Sequence, residues 1–281
     1  MWFESLETRS MLSVSPTPGA DPARSTPSAP PIRLDVVALH EFGHALGLDH
    51  DSSSTASIMD PYYDPKYNYD PVAFQSDPAV VTLNQMVANP SNYSWKDSDN
   101  NAANGITITY SFMLDGDGTD KAREANSLFA TFDKIFKPTS TDAHPWMGIF
   151  SQQLQRWSAA TGGKLQFVPF DSDGIENAQY AFNTTSPDLQ NDSRFGDIRI
   201  GAHRFDGPGK VLAHTYFPPP NGSSAAGDSH YDSQENWVYT PDAGTTSALN
   251  STAGSSTTGK AALTTGHHRD DLGLLSDGLL A

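Results

Sequence analysis

The chain has 281 residues, a net charge of −16 and no cysteine. That length suits one well-buried core with additional terminal segments. The missing cysteine excludes disulfides and any thiolate latch on a metal, and the acidity argues against nucleic acid or an anionic membrane surface as partner. No apolar run approaches the ~20 residues of a membrane span.

In chain order, residues 1–32 read as a leader and flexible N-terminal segment. Residues 1–13 lack the cationic start and apolar centre of a secretory signal. They resemble short bacterial leaders of the L-E-x-R-x-L-L-S kind, which implies an exported or extracellular protein. Pro, Ser and Ala dominate residues 14–32. Residues 33–46 predict a helix, a second begins at Asp77-Pro78, and the Asn/Asp/Ser-rich stretch 89–104 reads as a linker. Alternation predicts a strand over 106–112, followed by helices over 121–136 and 146–157 and a stop at Gly162-Gly163. Strands are expected at 165–170, 197–200, 211–217 and 230–238, then a flexible tail over 241–281. Asp115-Gly116-Asp117-Gly118 lacks the rest of a calcium-loop pattern and reads as a turn.

The densest chemistry lies in His40-Glu41-Phe42-Gly43-His44-Ala45-Leu46-Gly47-Leu48-Asp49-His50. On a helix, His40 and His44 project from one face and can share a cation. Gly47 can take the left-handed turn that ends the helix, and the chain then returns His50 as a third ligand. Three nitrogens leave a tetrahedral zinc one open position, as catalytic sites require. Glu41 is placed as general base for a water there. Met59, in Ser57-Ile58-Met59-Asp60-Pro61-Tyr62-Tyr63, would floor such a site.

Together with Phe205-Asp206-Gly207-Pro208-Gly209, Leu212-Ala213-His214 and Gly227-Asp228-Ser229-His230-Tyr231-Asp232-x-x-Glu235-x-Trp237, this motif resembles the matrixins. These are the matrix-metalloprotease family of metzincin zinc endopeptidases. The resemblance covers roughly residues 33–90 and 105–240, but in reversed order: in the family the strand-rich half comes first. It therefore implies a circularly permuted α+β zincin-like domain with a twisted mixed sheet and about three helices. Residues 33–88 and 105–240 would be its two halves.

Carried over by position, His40, His44 and His50 would hold catalytic zinc, with Glu41 as base and Met59 beneath. Pro61 and Tyr63, with Tyr62, Val36 and Leu39 nearby, would shape the pocket for a hydrophobic residue after the scissile bond. Leu212 and Ala213 would lie on the edge strand that pairs with an extended substrate. His214 and His230, with His203 nearby, would hold a second, structural zinc. Asp206, Asp232 and Glu235 would hold Ca²⁺. Asp51 stands where most members have serine; it reads either as a structural group orienting the methionine-turn backbone or as a solvated loop residue. With no cysteine, Asp21 is a candidate for latency. The resemblance implies a monomeric endopeptidase acting on peptide or protein substrates. The competing reading is a non-catalytic, metal-stabilised binding module or a latent, incomplete matrixin.

Overall fold

The computed structural model describes residues 3–7, 31–53, 57–89, 93–96, 105–119, 124–181, 190–219 and 224–241. All lie in one compact unit, residues 1–242. The expected tail, most of the 89–104 linker and Asp21 fall outside the described residues.

The strands are β1 (Phe3–Glu7), β2 (Ile32–Arg33), β3 (Ile106–Phe112), β4 (Leu165–Pro169), β5 (Ile198–His203), β6 (Val211–Tyr216), β7 (Ser229–Asp232) and β8 (Trp237–Val238). Six form a mixed sheet in the order β1-β6-β7-β5-β3-β4, and β2 and β8 form a small second one. β6 runs antiparallel to β1 and β7, while β7, β5, β3 and β4 are mutually parallel. Every residue of β5 is buried, as a central parallel strand covered on both faces should be.

Five helices occur among the described residues, against an expected three: α1 (Leu34–Ala45), α2 (Pro71–Phe74), α3 (Pro78–Val87), α4 (Leu128–Phe136) and α5 (Met147–Ala160). Four of them match helices expected in chain order, and the unexpected one is the short α2. Asp70 accepts from the Val72 and Ala73 amides, and Pro71 follows it, so a single turn forms without a long apolar period. α4 begins at Leu128, later than the expected 121, and lacks a cap from its own N-terminus. Asp115 instead accepts from the Phe129 and Ala130 amides at 2.9 Å, so the expected turn at 115–118 also serves a helix. The expected strand 230–238 is divided into β7 and β8, with a turn at 233–234 between them.

All twelve residues of α1 are buried, polar ones included. A helix enclosed all round belongs to the core, and its carbonyls are tied accordingly. Trp157 Nε1 on α5 donates to Leu39 O at 2.9 Å, and Trp95 Nε1 donates to Ala45 O at 2.8 Å. Tyr93 Oη donates to Leu46 O at 3.1 Å. The last two bonds answer carbonyls that the helix end leaves without partners; the first reaches a carbonyl within the helix and ties α5 to it. Tyr93 and Trp95 come from the stretch read as a linker, and both are buried.

β5 is also anchored by a buried ion network. Arg199 donates to Glu176 through Nε and Nη2 at 2.7 and 2.8 Å, and Asp117 Oδ2 lies 3.6 Å from Nη2. Burial and the Glu176 charge push Asp117 up to about 7, against the pull of Arg199. Among the described residues no helix is long and apolar enough to cross a membrane.

Candidate active site and metal centres

α1 presents His40 and His44 one turn apart, and Gly47 takes φ +96° to return the chain toward His50. His44 Nε2 lies 3.0 Å from His40 Nε2 and 3.1 Å from His50 Nε2. The opposite ring nitrogens are engaged: His40 Nδ1 meets Ile58 O and His44 Nδ1 meets Leu48 O, each at 2.7 Å. A carbonyl can only accept, so the proton of each neutral ring sits on Nδ1 and the Nε2 lone pair is left bare. Those lone pairs converge, an arrangement that repels itself until a cation lies between them.

The geometry fits such an ion. Four tetrahedral ligands with bonds of 2.0–2.1 Å stand about 3.3 Å apart, close to the observed nitrogen separations. Burial, reinforced by His50, pushes His40 down to about 3. Burial and both neighbouring histidines hold His44 well below the usual imidazole value. Both rings are therefore neutral donors. The backbone carbonyls fix ring orientation as outer partners of metal-binding histidines do.

Met59 is fully buried under α1. A Cβ added at Gly43 would collide with Met59 Sδ, so the small residue inside the motif admits the thioether. Asp77 holds this turn: its carboxylate accepts from Ser57 Oγ and the Ile58 amide, both at 2.8 Å, and from the Ala79 amide at 2.9 Å. Of the two readings of Asp51, its side chain takes that of a loop residue. Its side chain accepts from Ser53 N and Oγ in its own loop, and its backbone amide reaches Met59 O at 2.8 Å. Orientation of the methionine turn by a carboxylate thus falls to Asp77, which sequence reading took only as the start of a helix. The Asp-Pro pair announced a cap; nothing local announced the second, long-range use.

Glu41 is fully buried, and Thr215 Oγ1 on β6 donates to its Oε2 at 2.6 Å. Thr215 Oγ1 lies 2.7 Å from Ser229 Oγ on β7. Neither hydroxyl was singled out in the sequence. The available signal was alternation: each neighbours a histidine on its strand, so it must face the other side of the sheet. A small pocket beside His40 is lined by Val36, Ile58, Tyr62, Tyr63 and Tyr67 among others, and Tyr63 Oη accepts from the Arg33 amide at 3.0 Å. Pro61 and Leu39 do not line it; Leu39 is enclosed in the core, on the side of α1 that meets Trp157.

On the sheet, His214 pairs directly with His230, and Gly201 pairs with His230 from the other side, which sets His203 two residues along. The three rings have centroids 5.1–5.9 Å apart. Their ligand atoms lie within 4.8 Å of one another, and all three residues are buried. Tyr231 packs on Phe150 of α5 at 5.0 Å, so His230 points to the opposite face. Leu212 and Ala213 lie on the same strand as His214, both buried.

Asp206, Asp232 and Glu235 are brought near one another but less tightly. Among the described residues, the groups gathered closely enough for one ion are the two histidine triplets. Asp232 Oδ1 accepts from the Phe205 and Gln234 amides, and Glu235 Oε1 accepts from the Gly209 amide at 2.6 Å. Their other oxygens, Oδ2 and Oε2, are buried without a hydrogen-bond partner. Burial raises both carboxyls; the Asp206 charge adds to both, and the Asp232 charge adds to Glu235.

The helix with its converging imidazoles and the second histidine cluster on the mixed sheet together define a protein with two histidine triplets, each able to hold a metal ion. A family model described as "Matrixin" matches residues 23–81 and 131–268. The chain belongs to the matrixin family. Over 37 residues it is 46% identical to Matrix metalloproteinase-2 of Drosophila melanogaster, covering 13% of this chain and 4% of that protein. Over 33 residues it is 52% identical to Karilysin of Tannerella forsythia, covering 12% and 7%. The likeness thus spans a small part of each of these relatives. No solved structure matches the chain.

Proposed function

We propose that the chain is a zinc endopeptidase that hydrolyses peptide bonds in extended polypeptides. The convergence of the His40, His44 and His50 nitrogens, with two tautomers set by backbone carbonyls, carries this reading. Zinc bound there supplies Lewis-acid polarisation of the scissile carbonyl and a more acidic water. Glu41, oriented by Thr215, takes the water's proton and passes it to the departing amine. β6, whose outer edge is paired with β1, would offer its backbone to an added peptide strand once that edge is vacated, and the tyrosine-lined pocket beside His40 receives the residue after the cleaved bond.

His203, His214 and His230 would hold a second, structural zinc, a role supported by their closeness and burial. Asp206, Asp232 and Glu235 would take Ca²⁺, which relieves the repulsion among their carboxylates. We read residues 33–88 and 105–240 as permuted halves of one domain. In support, the Ile32 amide donates to Asn236 O at 2.9 Å and β2 lies parallel to β8, so α1 starts beside the end of the strand-rich half. The chain would act outside the cell, as matrixins typically do, and as a monomer.

The deciding experiment is peptide hydrolysis by the full chain and by Glu41→Ala, with zinc counted by elemental analysis. Loss of about 10²–10⁴-fold in kcat at unchanged zinc is expected, the range of a general base. Turnover that survives the substitution sinks the mechanism; zinc without turnover in the unmodified chain favours the non-catalytic module.

A further inference from the structure

The segment read as a leader supplies β1, and β1 is not at a neutral place. Residues 3–7 pair antiparallel with β6 in the register Phe3↔Tyr216, Glu4↔Thr215, Ser5↔His214, Leu6↔Ala213, with a bulge before Glu7↔Val211. β1 also runs alongside α1, the helix of His40 and His44. Glu4 and Ser5 therefore stand across from Thr215 and His214, the level of the sheet at which Glu41 is held. Without β1, β6 would be the edge strand on this side of the sheet. An uncovered edge presents a row of backbone donors and acceptors that an extended peptide can complete.

We propose that β6 is a docking edge for extended peptide and that the chain's own residues 3–7 occupy it, so an incoming peptide must displace β1. This rests on the reading of β6 as the substrate-pairing strand. A five-residue edge strand is marginal by itself, so the occupant is displaceable rather than permanent. Its connection to the domain gives it an effective concentration on the order of mM. A strand that docks with a Kd of about 0.1 mM then leaves roughly a tenth of the molecules open, and the apparent KM rises about tenfold. The occupant acts through backbone pairing and needs no cysteine, which the chain lacks.

The test uses the full chain carrying Ser5→Pro and Leu6→Pro together. Proline has no N–H, and in an antiparallel pair consecutive amides point to opposite sides. One of the two substitutions therefore removes a bond to β6. Peptide hydrolysis should show KM lowered about tenfold with kcat unchanged. A labelled synthetic peptide of residues 1–13 should bind this variant about tenfold more tightly than it binds the unmodified chain. Equal KM values, or equal binding of the labelled peptide, overturn the proposal. If neither chain hydrolyses peptide while the labelled peptide still distinguishes them, the docking edge stands and the peptidase reading falls.

Amide exchange gives a check that spares β1. In Glu41→Ala, excess synthetic peptide of residues 1–13 should speed exchange at residues 3–7 of the chain. Unchanged exchange under saturating peptide means that the two do not compete.

Discussion

His40, His44 and His50 come from one helix and the turn that ends it, whereas His203, His214 and His230 come from three strands of the sheet. The first triplet is a local object: helical spacing sets two rings, a left-handed glycine sets the third, and carbonyls at Leu48 and Ile58 set the tautomers. The second exists only once β5, β6 and β7 pair in register, because a slip of one residue on any strand turns its histidine to the other face. The comparison separates two jobs a metal can do. On the proposed reading, an ion at the first triplet would serve chemistry beside Glu41, and one at the second would tie three strands together.

Breaking each triplet in turn tests that separation. His44→Ala should abolish peptide hydrolysis and remove one zinc per chain by elemental analysis. His230→Ala should leave the first zinc in place but lower Tm by about 5–10 °C, the effect of losing an ion that contributes ~2.7 kcal/mol in a domain of this size. A loss of both metals in either variant would mean that the sites are not independent.

The face of the sheet opposite the second triplet sharpens the contrast. Thr215→Val should lower kcat about tenfold, the scale for an outer partner of a site, with KM and zinc content unchanged. Thr215→Ser should recover most of it, since the hydroxyl to Glu41 returns. A variant that loses KM and kcat together would mark Thr215 as merely structural.

The smallest effect concerns the ion network behind β5. Asp117 is raised from 3.8 to about 7 in the folded chain by burial and Glu176. The unfolded chain ionises first as pH rises, so this group contributes stability in full below its ordinary value and loses it through about pH 7. Asp117→Asn should narrow the fall in Tm between about pH 5 and pH 8. An unaltered difference would show that other buried carboxyls dominate the dependence.

Much of the helix-borne site was legible, for a physical reason. Ligand spacing, the glycine stop and the methionine turn are all short-range features, and α3 announced itself through Asp77-Pro78. What escaped was long-range. The Asp77 carboxylate reaches the methionine turn, Thr215 reaches Glu41 from the other half of the chain, and Asp115 caps a helix that begins at Leu128. β1 escaped for the same reason: its five residues carry little strand signal, and its place depends on the edge that β6 offers.

By itself, then, the sequence determined the three-histidine motif, the grouping of His203 with His214 and His230, and the alternation of β3. Spacing along a helix or strand is dictated by backbone geometry, which needs no partner. Tertiary structure alone decided which carboxylate holds the methionine turn, which hydroxyl holds Glu41, how closely the second histidines gather and what lies against β6. Each of those depends on which residues from distant parts of the chain are brought within hydrogen-bond reach, and strand register and helix packing set that only once the whole core has formed.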